Sequence, residues 1–120
     1  MRRDMNLVRK ILLEAENLPG EGGYIDLPDS DDELLRYHLR IMRQAGLLDA
    51  AFAAHEGTAH ETNYVNGLTW QGQEFLNAAR DESRWKKGAS LAGQAAGGII
   101  YEVLRDYLMK EAKRNIGLPA

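Results

Sequence analysis

Three arginines, Arg36, Arg40 and Arg43, recur at one-turn spacing between Glu33 and Leu48, with Tyr37 and Gln44 beside them. A guanidinium presents a planar fork of N–H donors that matches phosphate oxygens and guanine edges in two-point geometry. Carried on a helix opposite Leu35, Leu39 and Met42, this is the pattern of a recognition helix. It is equally the pattern of an ordinary solvated helix face. The acidic run Asp29, Asp31, Asp32 and Glu33 just before it stands against the first reading. Carboxylates there suit the helix dipole, but they are repelled by a duplex bearing one charge per ~1.7 Å. Arg36, Arg40, Arg43, Tyr37 and Gln44 form the candidate nucleic-acid-binding set, with DNA as the expected partner and a protein as the alternative.

Other chemistry is thin. His55-Glu56 and His60-Glu61 share one segment, and imidazole with carboxylate suits zinc, but their spacing matches no closed four-ligand pattern. The surrounding stretch, residues 53–62, holds no Lys or Arg for phosphate contact and reads as a polar hairpin loop. No metal and no other cofactor is expected. His38 lies between the apolar and charged stripes and is read as a hydrogen-bonded core histidine holding a carbonyl of the neighbouring strand. There is no cysteine, hence no thiolate metal site and no cysteine nucleophile. No hydroxyl nucleophile with a base stands out, and Gly20–Gly23 lacks the lysine of a phosphate cradle. The chain reads as a binding protein, not an enzyme.

At 120 residues, with 44% hydrophobic and 28% charged side chains, the sequence has the balance of one soluble globular domain. The net charge of −3 and pI of about 5.6 give no global attraction to nucleic acid or anionic membrane, so any such contact needs a local basic face. The opening Met1-Arg2-Arg3-Asp4 is not followed by a secretory apolar region, and no apolar run approaches the ~18 residues of a membrane span. A cytoplasmic location and no membrane partner are expected.

The elements that must hold these residues follow from periodicity. Leu7, Val8, Ile11, Leu12, Ala15 and Leu18 form one helical stripe over residues 4–18, with Asp4 at its start and Pro19-Gly20 at its end. Tyr24-Ile25-Asp26-Leu27 reads as a short strand closed by Pro28. Ser30 and Glu33 read as a capping box for a helix over 31–45 that buries Leu34, Leu35, Leu39, Ile41, Met42 and Ala45. Gly46 supplies its left-handed terminus. Strands are expected over 47–52 and 63–68. Thr69 then caps a helix over 70–84 with Trp70, Phe75, Leu76 and Ala79 inward, and Trp85 one further position on the same face. Gly88 to Gly98 is rich in small residues and uncharged, either a closely packed helix or a connector. A last helix over 99–116 carries Ile100, Val103, Leu104, Tyr107, Leu108 and Ala112 on one side, and Asp106 with Lys110 as an i,i+4 pair. Ile100, Val103, Leu104, Tyr107 and Leu108 are the expected homodimer interface, the competing reading being that they cover the chain's own core.

The blocks Met1–Leu12, Tyr37-His38-Leu39, Gln44-Ala45-Gly46-Leu47 and Gly67-Leu68-Thr69-Trp70-Gln71-Gly72-Gln73-Glu74-Phe75-Leu76 resemble the bacterial and phage family designated domain of unknown function 2513. The resemblance covers the first 85 or so residues well. It implies a winged-helix-like protein of phage or mobile-element context, with no activity to carry over. The expected architecture is α+β, mostly α: a winged-helix-like domain over 1–85 with its second helix reduced, since only 18 residues separate Leu27 from Gly46, then a connector and C-terminal amphipathic helix over 86–120. The functional expectation is a small DNA-binding or transcription-regulatory protein, or else a phage or mobile-element module that binds a host protein.

Overall fold

A computed structural model of the chain describes residues 1–54, 61–93 and 98–117. The architecture is α+β and mostly helical: α1 (Met5–Glu16), α2 (Asp32–Gln44), an antiparallel pair β1 (Leu48–Ala54) and β2 (Glu61–Leu68), then α3 (Trp70–Ala79), α4 (Glu82–Gly93) and α5 (Tyr101–Asn115). The chain forms two compact units, Met1–Gln73 and Glu74–Ala120. The division falls within α3.

In the first unit, α1 starts where the sequence places it. The Asp4 carboxylate accepts from the Asn6 and Leu7 N–H groups, satisfying two donors that no helical carbonyl can reach. Leu7, Val8, Ile11, Leu12 and Ala15 are buried. The cap of α2 is Asp31, not Ser30. Asp31 has extended backbone, and its Oδ1 accepts from Glu33 N at 2.8 Å and Leu34 N at 3.2 Å. A charged acceptor serves the positive end of the helix better than a hydroxyl. The buried stripe of α2 is narrower than its apolar content suggests. Leu35, His38, Leu39 and Met42 are buried, Leu34 and Ile41 half-buried, and Ala45 exposed. Gly46 ends the helix at φ +79°. Its N–H bonds the Arg43 carbonyl and the Leu47 N–H bonds that of Met42, the pair of bonds of a Schellman terminus, which favours glycine.

β1 and β2 pair from Leu48 opposite Leu68 to Ala54 opposite Glu61, with Asn66 the extra residue where the register shifts beside Asp49 and Ala50. Both strands run further than the sequence pattern suggested. The expected strand at Tyr24–Leu27 is absent. Its neighbour Gly23 exchanges one pair of backbone bonds with Val65, at 2.9 and 2.8 Å. Four residues between a glycine turn and Pro28 make too few ladder bonds to hold an edge strand, and Pro28 lacks the donor to extend it.

The helix expected over 70–84 is two helices. Asp81 interrupts it: its carboxylate accepts from Arg84 N at 2.8 Å and its carbonyl from Trp85 N at 2.9 Å, which starts α4 afresh. Arg84 in turn donates to the Ala78 carbonyl at the end of α3. In the second unit, Phe75 meets the edge of Trp85 at 6.2 Å and tilts against Tyr101 at 5.2 Å. Burial pushes the Tyr101 hydroxyl up from its usual value of 10.0, with Arg105 pulling the other way. Gly88 resolves part of the small-residue stretch: α4 runs through to Gly93, and a Cβ at Gly88 would lie 2.8 Å from Tyr107 Cδ1 and 3.0 Å from Leu104 Cδ1. The glycine therefore sets how closely α4 and α5 approach.

On α5, Leu104 and Leu108 are fully buried within the chain, so these two members of the expected homodimer set cannot serve an interface in this fold. Tyr107 is half-buried. Ile100 and Val103 remain 47% and 48% exposed. Asp106 meets Arg105 at 3.5 Å, in place of the Lys110 pair the spacing suggested.

Candidate functional site

The charges of α2 are segregated along its length. Asp32 and Glu33 occupy the first turn and Arg43 the last, the arrangement that opposes the helix dipole at both ends. The Gly46 terminus then turns the chain into β1, which brings Phe52 back beside the basic half of the helix. The guanidinium carbons of Arg40 and Arg43 stand 5.6 Å and 5.4 Å from the centroid of the Phe52 ring. Arg40, Arg43, Gln44 and Phe52 line one open groove of about 400 Å³.

The arrangement has a physical consequence. Each cation–ring contact contributes about 0.5–1 kcal/mol at an exposed site, enough to bias a long side chain toward one orientation. Two guanidiniums near one ring make the groove locally cationic, which favours an anionic group there. Gln44 adds an amide that both donates and accepts. The set therefore suits a phosphate or carboxylate group, with its cations partly oriented beforehand. Directly across the ladder from Phe52 is Asn63, whose Oδ1 is buried with no hydrogen-bond partner.

Of the five residues singled out on α2, the structure unites Arg40, Arg43 and Gln44. Arg36 and Tyr37 are half-buried and lie outside the groove. Phe52 was missed by sequence reasoning. Leu48, Ala50 and Phe52 alternate toward one face, and the signal was an aromatic standing where the core runs out and the cations of the preceding helix begin.

His38 is a structural residue, as expected, but not through a strand carbonyl. It is fully buried. Its Nε2 accepts from the Asp4 N–H at 2.8 Å, so Nδ1 carries the proton and donates to the Leu34 carbonyl at 2.9 Å. The neutral ring, in one tautomer, joins the start of α1 to α2 and has no nitrogen left for catalysis or metal binding.

Trp70 is not inward. It is 82% exposed, because the buried face of α3 follows Gly72, Phe75, Leu76 and Ala79, and a residue two positions before Gly72 points the opposite way. The first turn of α3 is fixed to the end of α2. Thr69 Oγ1 donates to the Gly46 carbonyl at 2.5 Å and accepts from Gly72 N at 3.0 Å. Thr69 N bonds the Leu47 carbonyl at 3.2 Å. A Cβ at Gly72 would collide with that same Leu47 carbonyl oxygen, which accounts for the Thr-Trp-x-Gly spacing.

The His55, Glu56 and His60 positions lie outside the described residues. Among the described residues, no cluster of three His, Cys, Asp or Glu could hold a metal ion, and no helix is long and apolar enough to cross a membrane.

A family model described as "Hypothetical protein (DUF2513)" matches residues 2–98. A protein of Haemophilus influenzae (strain ATCC 51907 / DSM 11121 / KW20 / Rd), described as "Uncharacterized protein", is 33% identical over 90 residues, covering 71% of this chain and 73% of that one. No solved structure matches the chain.

Proposed function

The chain belongs to the family described as Hypothetical protein (DUF2513), and from that premise we propose that it is a small winged-helix-like nucleic-acid-binding protein. The observation that carries this reading is the pair Arg40 and Arg43 gathered over Phe52, with Gln44 on the rim of the same groove. The element order is compatible with it: a helix, a segment bridged to the second strand, a helix, a hairpin and a further helix. The acidic first turn of α2 argues that the contact is made by the C-terminal half of the helix, and that it is chiefly a phosphate contact rather than base reading in a major groove. The role is binding, DNA being the first candidate, in a regulatory or mobile-element setting.

Filter binding of a random-sequence oligonucleotide at low salt tests the proposal. Binding is expected to weaken with salt at a log–log slope of about −1.4 to −1.8, as two neutralised phosphates give, and to be lost in the Arg40→Ala, Arg43→Ala double variant. No binding at low salt, or binding that ignores both arginines, overturns it.

A second reading has its own support. Residues 1–73 carry 7 Lys and Arg against 12 Asp and Glu, an acidic balance better suited to a protein partner than to a polyanion. In this reading the scaffold is a phage or mobile-element module that binds a host protein, detected as a stoichiometric complex on pull-down from host lysate. A homodimer through the exposed Ile100 and Val103 is compatible with either reading, and light scattering on the purified chain decides it.

A further inference from the structure

Trp70 is the largest exposed hydrophobic side chain on the described surface, at 82%, and an exposed indole on a helix is unusual enough to ask what it meets. Its place in the fold is fixed. Thr69 is bonded to the Gly46 carbonyl and to Leu47. A Cβ at Gly46 would be 3.4 Å from Gln71 Oε1. The backbone of residues 69–71 thus lies against the terminus of α2, within a turn of Arg43 and Gln44, which line the groove. Trp70 and Gln71 are both exposed there. α2 thus carries Arg40, Arg43 and Gln44 in its last turns, and the segment bonded to its terminus carries Gln71 and an exposed indole.

This combination selects among nucleic acids. A duplex presents phosphates but keeps its base faces stacked, and the acidic start of α2 prevents the helix from lying along a groove. A single strand presents both a phosphate for the arginines and an unstacked base for the indole. Resting on the reading above, we propose that the site binds single-stranded nucleic acid, the backbone running over Arg40 and Arg43 and a base stacking on Trp70. The arginines supply the charge attraction and Trp70 the sequence-tolerant contact. Gln44 and Gln71 are placed to meet sugar or base edges.

The test is a titration of the whole chain with oligo-dT of twelve nucleotides and with a duplex of equal length, at low salt, read by tryptophan emission and by anisotropy of a labelled strand. Trp85 is buried, so quenching reports on Trp70. The single strand is expected to bind more tightly than the duplex and to quench emission. Trp70→Ala is expected to lose about tenfold in affinity, the size of one stacked base, with Trp70→Phe retaining most of it. Circular dichroism on both variants, which alter an exposed position, verifies that they are folded. Arginine-dependent binding of oligo-dT with no change on Trp70→Ala, or tighter binding of the duplex, overturns this inference and leaves the nucleic-acid reading standing. No binding of either probe, including the case where an acidic protein is captured instead, overturns both.

Discussion

His38 and the Arg40–Arg43 pair occupy neighbouring turns of one helix and have opposite fates. His38 is fully buried, with both ring nitrogens bonded inside the chain. The arginines stand at the surface over Phe52, in a groove open to solvent. The difference shows how chemistry-capable residues divide between folding and binding. A polar group in the interior costs stability unless its bonds are made, and once they are made it is unavailable to a ligand. A cation resting on an aromatic ring at the surface stays in contact with solvent. Residue type does not separate the two cases, whereas the direction in which the backbone aims each side chain does.

Substitutions that separate inward from outward roles sharpen the comparison. The largest effect is expected at Gly72, where any side chain meets the Leu47 carbonyl. Gly72→Val should cost about 3 kcal/mol or more, at or above the upper range for overpacking, and denaturant melts should show a collapsed midpoint or no folded chain. A variant as stable as the parent would show that the junction of α2, β1 and α3 is looser than described. Next is His38→Leu, which keeps apolar volume but leaves the Asp4 N–H and the Leu34 carbonyl without their partner. A loss of about 2–3 kcal/mol is expected, with no loss of oligonucleotide affinity per folded molecule. If affinity falls instead while stability holds, His38 belongs to the binding side of the comparison.

Phe52→Leu is expected to fall between. Removing the ring under both guanidiniums should lower stability by about 1 kcal/mol, and it should weaken binding several-fold by releasing the arginines from their oriented state, as isothermal titration would read. The smallest change in stability is expected for Arg40→Ala and Arg43→Ala, each within about 0.5 kcal/mol, although the pair should remove binding altogether. A large stability loss there would place the arginines with His38, among residues that hold the fold.

The sequence carried the helices well where a strong stripe met a clear stop, as for α1 and for α2 with its Gly46 terminus. It failed where two signals competed. Asp81 is a cap in the middle of an apolar pattern, and reading through it fused α3 with α4 and turned Trp70 inward. Asp31 rather than Ser30 caps α2, because neighbouring oxygens compete for the same N–H groups and their relative geometry is tertiary information. The spacing of Arg40, Arg43 and Gln44 put them on one stretch of helix, and all three line the groove. Phe52 was not legible in this way, since its relation to them depends on how far the Gly46 turn carries β1 back along α2. The burial of Leu104 and Leu108 was likewise invisible, as an apolar stripe does not say whether its partner is in the same chain.

The most direct test of the central claim is a ¹H–¹⁵N NMR titration of the chain with the dT oligonucleotide, followed residue by residue. Shifts are expected to concentrate at Arg40, Arg43, Gln44 and Phe52 and at the Trp70 indole, with His38 and α5 unmoved. Shifts centred on the acidic start of α2 or on α5, or no shifts at all at low salt, would contradict it.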